Sequence, residues 1–86
     1  MRKLVEEVEG EGLVSLLGEV ITLFCANYIY TGKLVGVNDT FVKLEKASIV
    51  YETGSFSDKA WKDAQVLPSK FHYVQLALLE SFCILK

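Results

Sequence analysis

The sequence predicts a small, mainly β domain: a short N-terminal helix followed by five antiparallel strands bent into a barrel. Three observations point there. The 86 residues suffice for one domain and one core. From Gly18 onward, segments rich in β-branched and aromatic residues alternate with turn residues. And the stretch 27-NYIYTGKLVGVNDTFVKLEKA-47 reads as strand while holding two glycines, Gly32 and Gly36. Glycine packs nothing and costs backbone entropy, so a pair inside a strand marks a sharp bend or a close approach of another backbone.

The elements follow in order. Residues 2–9 (RKLVEEVE) carry Leu4, Val5 and Val8 on one side of a short helix, and Gly10 and Gly12 end it, so residues 1–12 form helix and linker. Glu19–Cys25 is the first strand, Asn27 its turn, and Ile29–Val37 the second. Even spacing puts Tyr30, Gly32, Leu34 and Gly36 on one face, and large side chains alternating with none allow that strand to coil tightly. Asn38-Asp39 makes the next turn. Phe41–Leu44 begins the third strand, which pauses at Glu45-Lys46 and resumes at Ser48–Tyr51, so residues 18–51 hold three strands. Residues 52–70 form a polar variable loop in which Ser57 would cap a single helical turn through Trp61, and Pro68 closes it. Phe71–Leu79 and Phe82–Leu85 are the fourth and fifth strands, separated by Glu80-Ser81, within 71–86.

Composition narrows the function classes. Nine Lys and Arg against eleven Asp and Glu give a net charge of −2, so the chain has no global basic footprint. Leu13–Thr31 carries one charge, Glu19, over a length about sufficient to cross a bilayer. Its Ser15, Thr22, Asn27 and two tyrosines, in a partly alternating pattern, suit strands better, so no membrane partner is expected. The start MRKLVEEVEGEG turns acidic where a signal peptide becomes apolar, and a cytoplasmic location follows as the expectation. Cys25 and Cys83 then read as buried free thiols, a single disulfide being the alternative.

Catalysis is not expected. The single histidine, His72, lies in a strand pattern where packing in the core or an interface explains it, and with two distant cysteines it lacks metal-ligand spacing. GKLVG lies within a strand and no Lys-Ser or Lys-Thr follows, so it is no phosphate loop. No catalytic residue, metal site or cofactor is assigned. Trp61 is either a lid over an open barrel end or an aromatic anchor for a protein partner.

A helix and five strands with a tightly bent second strand resemble the Sm/LSm family, which includes bacterial Hfq, on an SH3-like barrel. Locally the resemblance rests on Val20, Thr22 and Phe24, the turn at Asn27, and then Tyr30, Gly32 and Leu34. Asp39-Thr40-Phe41-Val42 and LEKASIVYE extend it, so that it covers residues 16–52. Counted from Gly32, the family's turn aspartate falls on Asn38, and Val42 stands nearest the position of its base-reading asparagine. Glu80-Ser81 replaces the family's basic Arg-Gly turn and reverses the charge offered to phosphate.

The resemblance implies a homo-oligomeric ring of about five to seven subunits closed by a head-to-tail contact. Strand four of one subunit would pair with strand five of the next through Val74, Leu76, Ala77, Leu79, Phe82 and Ile84. It also implies single-stranded RNA as a ligand, with Phe41 stacking on a base, Asn38 or Asp39 reading base edges, and Lys33 or Lys43 contacting phosphate. The alternative is an oligomeric protein-interaction scaffold that kept the ring, lost the RNA pocket, and uses residues 52–70 with Trp61 as its contact surface. The apolar run FHYVQLALLESFCIL supports an oligomer by itself, because a barrel interior covers only one face of a strand.

Overall fold

The computed structural model describes residues 10–86, and the helix expected over 2–9 lies outside them. The chain is mainly β: β1 (Val20–Cys25), β2 (Ile29–Val37), β3 (Phe41–Glu52), β4 (Asp63–Val66), β5 (Phe71–Gln75) and β6 (Leu79–Cys83). Two single turns of 3-10 helix, Val14–Leu16 and Leu76–Leu78, complete it. Every pairing is antiparallel. The sheet runs β4-β3-β2-β1-β6, with β5 also paired to β3, and its ends do not join, so the expected closed barrel is instead an open, bent sheet. Among the described residues no helix is long and apolar enough to cross a membrane.

The bends come from two bulges. Thr31 pairs with Ser48 and Lys33 with Glu45, which leaves Lys46 and Ala47 together opposite Gly32. Lys46 takes a left-handed conformation with φ of 53° to make this turn. A Cβ on Gly32 would lie 3.1 Å from the Ala47 Cα and 3.2 Å from the Glu45 carbonyl oxygen, so only glycine lets the bulged backbone approach. At this bend β3 also changes partner. Its C-terminal half pairs with β4 and its N-terminal half with β5. The segment between them grips the bulge through Leu67 N–H to the Ala47 carbonyl, and Pro68, which has no N–H to satisfy, sits in that crossing.

The second bulge is on β2. Leu34 pairs with Leu44 and Gly36 with Lys43, so Val35 is the extra residue. The extra residue shifts the alternation. Leu34 and Val37 both pack on the core, whereas Gly36 turns to the outer face beside Lys43. The expected common face of Tyr30, Gly32, Leu34 and Gly36 therefore ends at Leu34, because one inserted residue flips everything after it.

The core is formed by Ile21 and Leu23 of β1, Leu34 of β2, Val42, Leu44 and Ala47 of β3, and Val74 of β5. Leu13 and Leu16 of the first 3-10 turn pack against it, together with Leu67, Leu76 and Leu79. On the other side of β1 and β2, Thr22 and Thr31 are buried too, and the Thr31 hydroxyl donates to the Ile21 carbonyl at 3.0 Å.

Three further expectations change. The sheet has six strands because the polar segment contributes β4, too short and too exposed to show a pattern. No helical turn forms from Ser57 to Trp61; bends replace it, tied by Asp58 N–H to the Ser55 carbonyl. The fourth strand stops at Gln75 rather than Leu79, and β6 begins at Leu79 rather than Phe82. The 3-10 turn between them interrupts the alternation of a continuous strand through Val74, Leu76 and Leu78, leaving Val74 buried and Leu78 exposed.

Candidate nucleic-acid interface

The outer face of β3 and β5 carries a row of aromatic rings and lysines. Strand alternation turns Val42 and Leu44 inward, so Phe41, Lys43 and Glu45 point out. On β5 the same alternation sends Val74 in and Phe71, Tyr73 and Gln75 out. The register sets Phe41 opposite Gln75, Lys43 opposite Tyr73 and Glu45 opposite Phe71. Diagonal neighbours then touch. Phe41 meets Tyr73 edge to face with ring centroids 5.3 Å apart. The Lys43 ammonium lies 4.0 Å from the centre of the Phe71 ring and 5.9 Å from that of Tyr73. Lys70 approaches the same Phe71 ring to 5.3 Å. Gly36 leaves room beside Lys43, where an added Cβ would lie 3.2 Å from the Lys43 Cβ.

Beyond Glu45 the row continues into a shallow basin of about 340 Å³ lined by Val20, Thr31, Gly32, Lys33, Glu45 and Lys46. Lys33 enters it because it pairs with Glu45 across the strands, and Lys46 because the bulge pushes it outward. The face thus offers Lys33, Lys43, Lys46 and Lys70 against one acid, Glu45, on a chain whose net charge is −2. Charge is locally concentrated where composition alone shows none.

Of the residues expected to touch RNA, Lys33, Phe41 and Lys43 share this face. Asn38 and Asp39 lie at its end in the β2–β3 turn. The Asn38 Oδ1 accepts from the backbone N–H groups of Thr40 at 2.8 Å and Phe41 at 2.9 Å, so the oxygen shapes the turn and only the amide NH2 faces outward. Phe71, Tyr73, Lys70 and Lys46 were absent from the expectation. Alternation in FHYVQ puts Phe71 and Tyr73 on one face, but only the β3–β5 register sets that face beside Lys43.

Trp61 sits elsewhere. It is half-buried under the Lys86 side chain, whose ammonium is 4.6 Å from the ring centre. That ammonium also donates to the carbonyls of Thr53 at 2.7 Å, Ser55 at 2.9 Å and Ala60 at 3.1 Å, tying the last residue to the 53–61 loop. Among the residues expected at an oligomer interface, Phe82 and Ile84 are exposed apolar groups on or beside β6 and Ala77 is exposed on the 3-10 turn. Leu76 and Leu79 are half-buried against the core, and Val74 is buried within it.

A separate cleft of about 300 Å³ opens between the β1–β2 turn and β5. Tyr30 and His72 span it with ring centroids 5.1 Å apart and planes tilted by 33°. Tyr28 meets Tyr30 edge to face at 6.2 Å. Burial pushes the Cys25 thiol at its floor up, and the Glu80 carboxylate adds to that. Burial likewise raises the Tyr30 hydroxyl, with Cys25, Tyr28 and Tyr51 contributing. Among the described residues no group of three or more His, Cys, Asp or Glu is placed to hold a metal ion. No protein-family model, no curated protein and no solved structure matches the chain.

Proposed function

We propose that the chain forms a homo-oligomeric Sm-like ring that binds single-stranded RNA along the lysine–aromatic face of β3 and β5, acting in RNA metabolism in the cytoplasm. The observation that carries the reading is the interleaving of Phe41, Tyr73 and Phe71 with Lys43 and Lys70. Rings accept any base by stacking, at about 1–3 kcal/mol each, while lysines between them neutralise the connecting phosphates. Glu45 opposes the phosphates, so binding is modest per subunit and gains strength from repetition around a ring.

The ring itself is supported by two sheet edges that no strand among the described residues pairs, the β4/β5 edge and the β6 edge. Val66 on the first and Phe82 and Ile84 at the second are exposed apolar side chains. An open edge with apolar flanks is unstable toward association, and head-to-tail pairing of unlike edges closes into a ring where the rotation permits.

Fluorescence anisotropy with U-rich and A-rich oligonucleotides across a salt series tests the RNA reading. Binding is expected to fall with salt, and Tyr73→Ala to cost about 1–3 kcal/mol of affinity without lowering the melting temperature, since Tyr73 is half exposed. Lys43→Ala should weaken all sequences alike and lower the salt slope by about one. Affinity that ignores both salt and Tyr73 would remove RNA from this face. The scaffold reading then takes its place, favoured by Phe56, an exposed ring on the loop that Lys86 holds in shape.

A further inference from the structure

We propose that the open mouth of the sheet, the cleft bridged by Tyr30 and His72, is a binding site for a single nucleobase. Its lining runs from Cys25, Asn27, Tyr28 and Tyr30 to the β5 segment His72–Gln75 and Leu78, and among the described residues it contains no carboxylate, lysine or arginine. A charged group such as phosphate finds no counter-charge there, so the ligand is an uncharged one. Four of the nine lining residues carry aromatic rings, which favours a planar ligand with a π-face. At about 300 Å³ the cleft stands at the small end of ligand sites, which suits one heterocycle rather than a larger molecule.

Polar groups are few and stand at the rim. Asn27 lies in the β1–β2 turn and Gln75 at the end of β5, and both are exposed. None of the side-chain hydrogen bonds among the described residues engages either amide. A carboxamide pairs donor and acceptor in the geometry of a base edge, and proteins that take up an extruded base combine such edge contacts with stacking between rings. The mouth lies between the β1–β2 turn and β5, which among the described residues pairs with β3 alone, and Tyr30 and His72 meet across it.

This site adjoins the lysine–aromatic face through Tyr73 and Gln75 but does not depend on RNA being bound there. The probes are adenosine, guanosine, cytidine and uridine, which lack phosphate, titrated into the intact chain and followed by proton NMR of the tyrosine and histidine rings. At least one nucleoside is expected to shift the Tyr28, Tyr30 and His72 rings saturably. Tyr28→Ala and Asn27→Ala, both at exposed positions, should each weaken that binding about fivefold or more, the first by loss of a stacking partner and the second by loss of a hydrogen bond to the base edge. Tyr30→Leu should abolish it; should that variant fail to fold, the two exposed ones decide. Lys43→Ala should leave nucleoside binding unchanged while weakening oligonucleotides, so either reading can fail alone. The assignment is overturned if no nucleoside moves these rings at about 10 mM, a concentration that reveals even millimolar affinity. It is equally overturned if Asn27→Ala and Tyr28→Ala bind as the parent does, or if a neighbouring subunit's strand is found to fill the mouth, an outcome that leaves the ring standing.

Discussion

Gly32 and Gly36 occupy one strand yet answer to different neighbours. A methyl at Gly32 meets two backbone atoms and the Leu44 Cβ, all within 3.3 Å, and the bulge at Lys46 has no freedom to retreat because Leu67 holds it. Gly32→Ala is expected to destabilise the fold by about 1–3 kcal/mol in urea denaturation. Gly36→Ala presses on one side chain alone and should cost clearly less; equal losses would contradict the separate roles. The mouth adds a pH signature. Cys25 and Tyr30 hold their protons more tightly folded than unfolded, so the unfolded chain ionises first as pH rises. Stability from this source is complete below the ordinary thiol value of 9.0 and falls above it, first through Cys25 and then, past 10.0, through Tyr30. Melting temperatures of the parent and Cys25→Ala from neutral pH upward check this. The variant should lose the earlier part of the decline, and a parallel pair of curves would refute the assignment.

At the scale of elements, the 53–61 loop is long for a connection that lacks regular structure, and it is ordered through one side chain. Three carbonyls and the Trp61 ring converge on the Lys86 ammonium, which adds a partner to the Thr53 and Ser55 carbonyls, already bonded by the Lys62 and Asp58 N–H groups, and supplies one to Ala60. The Lys62–Glu52 ion pair at the base of the loop is exposed at both ends and adds little. Lys86→Ala should therefore release the loop while sparing the sheet. Trp61 is the only tryptophan, so its emission should shift to the red and its quenching by acrylamide rise. Global stability should fall by no more than about 3 kcal/mol, the upper end of the range for a hydrogen-bonded charge. Unchanged quenching would mean that Trp61 is held by its surroundings instead.

For the whole molecule, the balance of apolar surface decides the state of assembly. The core has few members, while Val66, Leu78, Phe82 and Ile84 stand exposed along or beside the open edges. A domain of this length leaves about 40% of its unfolded surface uncovered, and placing that much of it as apolar side chains at sheet edges favours a second copy. Light scattering on the purified chain should show a species several times 9.6 kDa. Phe82→Asp or Ile84→Asp should give smaller species or insoluble protein, since both side chains are exposed and neither belongs to the core. A concentration-independent monomer would sink the ring and leave the nucleobase site to be judged by itself.

Local chemistry was enough to read much of this chain. The limits of β2 and the start of β3 were legible because β-branched runs end at Asn27 and at Asn38-Asp39, whose side chains favour turns over ladders. The glycine pair announced the bend because no other residue tolerates so close a backbone. Where the signal was non-local, the sequence fell short. The position of Gly36 on the outer face depends on a bulge at Val35, and one inserted residue reverses a period of two without leaving a mark in composition. The strand β4 is exposed throughout and forms because β3 offers it an edge. The 3-10 turn at Leu76–Leu78 carries no glycine or proline, since the β5–β6 corner packs leucines rather than freeing the backbone. The candidate sites divide in the same way. Phe41, Lys43 and Lys33 were readable from their own strands, but Phe71, Tyr73 and Lys70 join them only through pairing between residues some thirty positions apart. The mouth at Tyr30 and His72 is further still from local pattern, for it exists only where the tertiary fold sets the β1–β2 turn beside β5.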